Sequence, residues 1–319
     1  MLSRTADHLF WMARYTERAE NTARMLDVCS QNSLMPQTAL AAEQGWRALL
    51  GICELEAAFD AKYTTLTQRD VIDFMARDPD NASSIANCLT QARENARAVR
   101  GTLTTEVWET QNATWIELQM HLKGEMLEHN PDQFFEWVKY RSHLSRGVTL
   151  GTMLQDEAVN FIRLGTFLER ADNTARILDI KFLTAQNNEA IEGAQPEFYY
   201  WAALLRSVSA FEVYRKVYRD VITPARVAEL LMLQPNMPRS LVACMAGVVA
   251  NLKDVGNDLS QDTERFAGKL HAELQFARIE DMLQDGLHDY LSRFLECIEE
   301  LGTRLSCDFL VPLDIVECA

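Results

Sequence analysis

The chain has 319 residues, of which 48% are apolar and 24% are charged, and this composition excludes a disordered or collagen-like protein. Acidic residues outnumber basic residues by 46 to 31. The resulting formal net charge of −15 argues against nucleic acid or an anionic membrane surface as the main partner. No uninterrupted apolar run indicates a signal peptide or a membrane span, and the seven cysteines form no CxxC pair. We therefore expect a cytoplasmic protein with reduced thiols.

An internal duplication organises the chain. Residues 15–28 read YTERAENTARMLDV and residues 167–180 read FLERADNTARILDI, so nine of fourteen positions are identical. The match continues to Met126-Leu127 and Met282-Leu283, while the offset between matched residues moves from 152 to 156. We predict an all-α protein made of two tandem homologous helical bundles, at 1–150 and 151–319. Each bundle has about six helices, the second ends in an apolar tail, and pseudo-two-fold symmetry relates the two.

The local patterns along the chain favour helices. Glycine and proline are scarce and alternating β-branched runs are nearly absent, which argues against a sheet. In the first helix, apolar and small residues recur at helical spacing from Leu9 to Leu26 and predict a buried face. Thr67 and either Ser83 or Ser84 are predicted N-caps. Helix breaks are predicted at Asn130-Pro131, between Gly147 and Gly151, at Thr223-Pro224, and at 235–238.

The repeated helix also has a polar face. At positions i, i+3, i+7 and i+10 this face carries Arg14, Glu17, Asn21 and Arg24, which lie close to one line along the helix axis. Glu20 precedes Arg24 by four residues, the favourable order for an ion pair on a helix.

The second copy of the helix keeps most of this face. It retains Glu169, Asn173 and Arg176, and Asp172 precedes Arg176 by four residues. Thr166 stands where the first copy has Arg14, so the two faces differ at one position.

Three interpretations of the polar face remain open. The first is a buried salt-bridge network that joins helices. The second is a site that binds a carboxylate, phosphate or peptide terminus, and the third is a solvated surface. Pro238-Arg239-Ser240 opens a later helix, where an arginine beside the helix N-terminus favours anions. The alternative there is a proline at the first helical position with an exposed arginine.

Other chemistries find little support. The sequence has no HExxH, P-loop, GxGxxG or GxSxG motif, and its six histidines are scattered, so we predict no metal site. His143 lies near Arg141 and Arg146 in the sequence. It belongs either to a basic pocket or to the ordinary surface.

At this point the motifs resemble a known family. MLSRTADHLFWMARYTERAENTARMLD at 1–27, GTMLQDEAVNFIRLGTFLERADNTARILD at 151–179 and PRSL at 238–241 are similar to the bacterial Alpha-E proteins, also called domain of unknown function 403. The resemblance covers nearly the whole chain. It places the family's Glu-Arg motif at Glu17-Arg18 and again at Glu169-Arg170.

The resemblance implies a function by context. Alpha-E proteins are encoded beside, or fused to, circularly permuted ATP-grasp proteins, often together with transglutaminase-like peptidases. ATP-grasp ligases make an acyl phosphate and then an amide. The resemblance therefore implies an accessory or co-catalytic subunit of an amide-forming system in peptide synthesis or tagging. ATP and Mg would be held by the partner, and this chain would hold no cofactor.

On this reading the polar faces present an amine or a carboxylate substrate, with arginines neutralising charge and a glutamate taking the amine proton. The candidate residues are Arg14, Glu17, Arg18, Asn21, Arg24, Glu169, Arg170, Asn173, Arg176 and Arg239. Two alternatives stay open. One is an independent enzyme of unknown chemistry, and the other is a structural or interaction scaffold without a small-molecule site.

Overall fold

The computed structural model describes residues 1–34, 38–124, 126–188 and 197–310. Within these ranges it has sixteen helices and no strand, which confirms the predicted all-α class. The predicted C-terminal tail beyond residue 310 lies outside the described residues. No described helix is long and apolar enough to cross a lipid bilayer.

Eight helices form the first half of the chain. They are α1 (Ser3–Ser33), α2 (Ala39–Ile52), α3 (Glu56–Asp60), α4 (Gln68–Ala76), α5 (Ile85–Ala98), α6 (Thr105–Lys123), α7 (Met126–His129) and α8 (Pro131–Thr152).

Eight further helices follow. They are α9 (Glu157–Asn188), α10 (Glu197–Ser207), α11 (Phe211–Tyr218), α12 (Pro224–Leu233), α13 (Leu241–Val255), α14 (Gln261–Phe276), α15 (Ile279–Asp285) and α16 (Leu287–Phe309). The prediction of about six helices per half was too low. Four helices, α3, α7, α11 and α15, have only four to eight residues, too few to show a helical period in the sequence. The pseudo-two-fold symmetry and the boundary at residue 150 stay predictions.

Side-chain caps begin many of the helices where the sequence indicated. Thr67, Ser84, Asn130 and Thr223 each accept a hydrogen bond from the backbone N–H three residues later. The break predicted between Gly147 and Gly151 is wrong, because α8 continues through both residues to Thr152. A glycine inside a helix costs only about 1 kcal/mol, which the packing of the other face of α8 outweighs.

The two long helices α1 and α9 form the centre of the molecule. Helix α1 packs against α5, α8 and α9, and α9 packs against α1, α13 and α16. The predicted apolar face of α1 from Leu9 to Leu26 is buried. The backbones of α1 and α9 approach closely at Gly165, where a Cβ atom would lie 2.3 Å from the carbonyl oxygen of Phe10. This contact places the polar faces of the two helices beside each other.

Candidate functional site

The two Glu-Arg motifs bind each other across α1 and α9. Arg170 donates from Nε and Nη2 to the two carboxylate oxygens of Glu17, each at 2.9 Å. In return, Arg18 donates from Nε and Nη2 to the two oxygens of Glu169, at 2.6 and 3.0 Å. Planar guanidinium and carboxylate groups match in this two-bond geometry. The duplicated motif therefore forms a reciprocal interlock between the central helices.

Further polar residues gather around each glutamate and form two clusters. The first cluster consists of Glu17, Glu20, Asn21, Arg24, His143, Arg146, Arg170, Ser209 and Arg239. The second cluster consists of Arg14, Arg18, Glu54, Glu169, Asp172 and Arg176.

Arg239 lies at the buried end of the first cluster. Its guanidinium donates to Glu17 Oε1 at 2.9 Å, to Asn21 Oδ1 at 2.8 Å and to Glu20 Oε1 at 2.7 Å. Ser240, not Pro238, caps α13, and Arg239 is 6% exposed. The interpretation of an exposed arginine after an N1 proline is therefore wrong. The guanidinium of Arg239 donates to side chains of α1 rather than acting at the N-terminus of α13.

Helix α8 closes one side of the first cluster. Arg146 donates to Glu17 Oε2 at 2.9 Å and also to Glu20 Oε2, which accepts a further bond from Ser142 at 2.7 Å. The second amino group of Arg146 lies 2.8 Å from His143 Nδ1. The side chain of Arg146 is 27% exposed and His143 is exposed, so the cluster reaches the surface here.

Arg24 and a strained turn form the other side of this opening. Arg24 pairs with Glu20 at 2.8 Å as the sequence predicted, and its Nη1 donates to the Ser209 hydroxyl. Ser209 is exposed and follows α10 with a φ of 55°, in the left-handed region that non-glycine residues rarely adopt. We call the surface formed by Arg24, His143, Arg146 and Ser209 the mouth of the first cluster.

The carboxylates of the first cluster are held in their charged form. Burial opposes ionisation of Glu17, but Arg170 and Arg239 outweigh it and lower its pKa. Burial likewise opposes ionisation of Glu20, and Arg239 and Arg146 bring its pKa well below the usual value. A carboxylate with a lowered pKa and bonded oxygens is a weak base. The predicted proton transfer from an amine to a glutamate therefore finds no support here.

The second cluster is fully paired. Arg14 joins Arg18 at Glu169, and Arg176 binds both Asp172, at 2.9 Å, and Glu54. Although burial opposes ionisation, the two arginines lower the pKa of Glu169 to about 2. Glu54 has a φ of 56°. It occupies the turn after α2, at the position of the sequence repeat that Ser209 occupies after α10.

The repeat-related positions show how the clusters differ in charge. At an offset of 156, Ser83 corresponds to Arg239 and Gly302 corresponds to Arg146, so the second cluster lacks both arginines. It carries three carboxylates and three guanidinium groups, which balance. The first cluster has four guanidinium groups and two carboxylates, an excess of two positive charges.

The structure distributes the predicted site residues between the clusters. Arg14 lies in line with Glu17 on α1, yet it belongs to the second cluster. Asn173 is half-buried and forms no side-chain hydrogen bond with another described residue. The solvated-surface interpretation is wrong, because Glu17 and Glu169 are buried. The sequence prediction missed Ser142, Ser209 and Glu54, and it left Glu20, Asp172 and Arg146 out of the site. No local sequence pattern predicts that the turns carrying Ser209 and Glu54, or helix α8, lie beside the central helices.

A metal site finds no support in the part of the chain that the structure describes. No group of three or more histidine, cysteine, aspartate or glutamate side chains is arranged there to hold an ion. The clusters themselves combine carboxylate and amide groups with guanidinium, imidazole and hydroxyl groups.

Comparisons with known proteins identify the motif. Residues 1–310 match the Alpha-E family, described as a predicted alpha-helical domain with a conserved ER motif. Uncharacterized proteins of Mycobacterium bovis and of two Mycobacterium tuberculosis strains are 26%, 26% and 25% identical over 324 residues. The alignments cover 92% of this chain and 35% of each relative, so the chain spans about a third of these curated proteins. No solved structure matches the chain.

Proposed function

The chain belongs to the Alpha-E family, and from that premise we propose that it is an accessory or co-catalytic subunit of an ATP-grasp system that forms amide bonds in peptide synthesis or tagging. The partner is a circularly permuted ATP-grasp protein that holds ATP and Mg. A transglutaminase-like peptidase is a further candidate partner. The subunit presents a substrate group to the partner at the mouth of the first cluster.

One observation carries the proposal. The first cluster is buried at Glu17 and Arg239 but opens to the surface at Arg146 and His143. A network that served only to join helices has no need of more guanidinium groups than carboxylates, with one of them, Arg146, reaching the surface. Guanidinium donors fixed by buried carboxylates are preorganised to bind an oxyanion, because the cost of ordering them is met during folding.

The roles within the cluster follow from this arrangement. Glu17 and Glu20 orient the arginines, and they remain charged rather than exchange protons. The half-buried Arg146, together with Arg24, which is buried but contacts the exposed His143 and Ser209, carries the donors that bind a carboxylate or a carboxyl-derived group of the substrate. The amine substrate then approaches from the partner side. Chemistry that needs ATP takes place on the partner.

The second candidate function is a structural scaffold without a small-molecule site. The second cluster favours it, since all its guanidinium groups are paired with carboxylates and Glu169 is buried. The first cluster argues against it through the exposed donors at its mouth. An independent enzyme would need a group able to move a proton, and the lowered pKa values of Glu17 and Glu20 disfavour these two residues for that role.

The proposal is tested in two steps. The full chain is purified at native level from its own bacterium, and the proteins that accompany it are identified by mass spectrometry. Stoichiometric recovery of an ATP-grasp protein is expected, and recovery of the chain alone in gentle buffer would contradict the partnership. The pair is then assayed for ATP-dependent amide formation from amine and carboxylate mixtures.

Variants connect the activity to the cluster. Arg24→Gln is expected to lower product formation at least about 10-fold while the complex stays intact, because one lost hydrogen bond to a charged group costs about 1.5–3 kcal/mol. Arg77→Gln is the matched control, since it removes a half-buried arginine that also pairs with an acid four residues earlier, Asp73. Full activity of a folded Arg24→Gln protein would end the assignment of substrate presentation to the first cluster.

A further inference from the structure

The mouth of the first cluster has hydrogen-bond donors that face each other. His143 Nδ1 lies 2.8 Å from Nη2 of Arg146, and its Nε2 lies 3.2 Å from Nη2 of Arg24. A neutral imidazole offers one acceptor nitrogen and one N–H donor, whereas guanidinium nitrogens only donate. In either tautomer, one N–H of His143 therefore points at another donor.

The distances indicate which contact lacks an acceptor. We assign the hydrogen bond to the shorter contact, in which Arg146 donates to Nδ1. Nε2 then carries the imidazole proton and faces Arg24. Partial burial lowers the pKa of His143 and favours the neutral imidazole; Glu20 raises this pKa, while Arg146, Arg24 and Arg239 lower it. An acceptor seated beside Nε2 and Arg24 would satisfy both donors.

Two other donors at this cluster lack an acceptor among the described residues. The hydroxyl oxygen of Ser209 accepts from Arg24, which leaves its O–H as a donor at the surface. The Asn21 side chain accepts from Arg239 at Oδ1, and its buried Nδ2 has no acceptor. Buried polar groups normally find partners, so the Asn21 amide indicates that an acceptor belongs near this cluster, and the surface hydroxyl of Ser209 is available to the same acceptor.

The charge of the cluster selects the kind of acceptor. Four guanidinium groups against two carboxylates leave two positive charges in a protein whose formal net charge is −15. A carboxylate would balance one of them. A phosphate group carries about −1.5 to −2 at pH 7 and has three strong acceptor oxygens.

We propose that the mouth of the first cluster binds a phosphate group, with Arg24, Arg146 and His143 donating to its oxygens. The Ser209 hydroxyl is the fourth donor to the phosphate. The second cluster binds no anion, because Glu54 already occupies the position next to Arg176 that Ser209 leaves open next to Arg24. For its place in amide formation this inference rests on the proposed function, in which an acyl phosphate precedes the amide. Phosphate binding itself requires no partner.

Isothermal titration calorimetry of the isolated full chain tests the site. Inorganic phosphate and acetate are titrated at pH 7.5 and equal ionic strength. One phosphate per chain is expected, with acetate at least about 10-fold weaker, since it balances one charge and offers fewer acceptors. Phosphate that binds no better than acetate, or without a 1:1 stoichiometry, would overturn the proposal.

A charge variant at Ser209 makes the test specific. Ser209→Glu supplies the carboxylate that Glu54 provides in the second cluster, and it is expected to abolish phosphate binding. Ser209→Gln has the same size without the charge and replaces the hydroxyl donor with an amide donor, so it is expected to weaken binding by less than about 10-fold. Because Ser209 is exposed and Glu54 shows that glutamate fits a turn of this φ, both variants are expected to fold. Equal binding by the two variants would contradict the site.

The repeat provides a second comparison. Arg24→Gln is expected to weaken phosphate binding at least about 10-fold, and the repeat-related Arg176→Gln is expected to leave it unchanged. Equal losses would indicate unspecific attraction and overturn the assignment. O-phosphoserine, titrated in parallel, distinguishes the sources: stronger binding than inorganic phosphate indicates an organic phosphoryl group, and weaker binding indicates free phosphate.

The two proposals fail in different ways. If phosphate binds and no ATP-grasp protein accompanies the chain, the site stands and the partnership falls. If an ATP-grasp protein accompanies a chain that binds no phosphate, the partnership stands and the ligand assignment falls.

Discussion

Arg170 on α9 holds Glu17 on α1 through two parallel hydrogen bonds of 2.9 Å, although the residues are 153 positions apart in the chain. Arg18 and Glu169 repeat the arrangement in the opposite direction. Each glutamate of the duplicated motif is therefore neutralised by the other copy. An isolated copy of the helix would leave a buried carboxylate without this arginine, which links the integrity of the motif to the association of α1 with α9.

Removing one side of the interlock is expected to be costly. Glu169→Gln leaves the half-buried Arg14 and Arg18 without the buried carboxylate that both bind, and we expect the free energy of unfolding to fall by about 3 kcal/mol. Urea denaturation at pH 7 measures the change. The control is Glu300→Gln, which breaks an exposed pair with Arg304 and is expected to cost less than about 1 kcal/mol. Similar losses for the two variants would show that burial of the pair contributes nothing.

The same residue predicts a dependence of stability on pH. The pKa of Glu169 is lowered from 4.5 to about 2 in the folded protein, so its contribution to stability is complete above pH 4.5 and is lost as the pH falls towards 2. The full contribution corresponds to about 3 kcal/mol. The difference in unfolding free energy between the native chain and Glu169→Gln is expected to be constant from pH 7 to 5.5. It should shrink at pH 4 and again at pH 3.5, and a constant difference down to pH 3.5 would contradict the assignment.

The sequence predicts the helices better than their contacts. Helical spacing in 9–26 identifies the buried face of α1, and local cap chemistry identifies the starts of α4, α5, α8 and α12. These signals act within a few residues, which is why a single sequence reveals them. The exposed glycines of α8 wrongly predict a helix break for the same reason. A local sequence signal carries no information about the tertiary packing that stabilises the helix.

The composition of the clusters is a tertiary property. Arg239 binds Glu17 across 222 positions of the chain and Arg146 binds it across 129. A helical period relates only residues a few positions apart, so it cannot predict these contacts. The line of Arg14 and Glu17 along α1 suggests one site. However, Arg14 turns to Glu169 because α9 crosses there at Gly165. The sequence indicated most of the polar residues that form the clusters, their functional role stays a prediction, and their division into two clusters required the structure.

Thiol chemistry provides a test of the core around the interlock. Burial raises the pKa of Cys88 and of the repeat-related Cys244 to about 12, so at pH 8 almost none of either thiol is the reactive thiolate. We expect iodoacetamide to modify the partly exposed Cys297 first and to leave Cys88 and Cys244 unmodified in the native protein. Peptide mass spectrometry over time measures the order. In urea the three should react alike, and native labelling of Cys88 as fast as Cys297 would contradict this packing.

The close contact of α1 and α9 predicts opposite effects for two glycines. Gly165→Ala places a Cβ atom 2.3 Å from the Phe10 carbonyl oxygen, so one backbone must move, and we expect a loss of about 1–3 kcal/mol or more. Gly147→Ala lies on α8 with nothing within 4 Å of the new Cβ atom and is expected to stabilise by about 0.5–1 kcal/mol. Urea denaturation measures the changes in unfolding free energy. Because Gly165 sets the approach that lets Arg170 reach Glu17, Gly165→Ala should also reduce the additional loss caused by Arg170→Gln. Strictly additive losses would show that the helix contact and the interlock are independent.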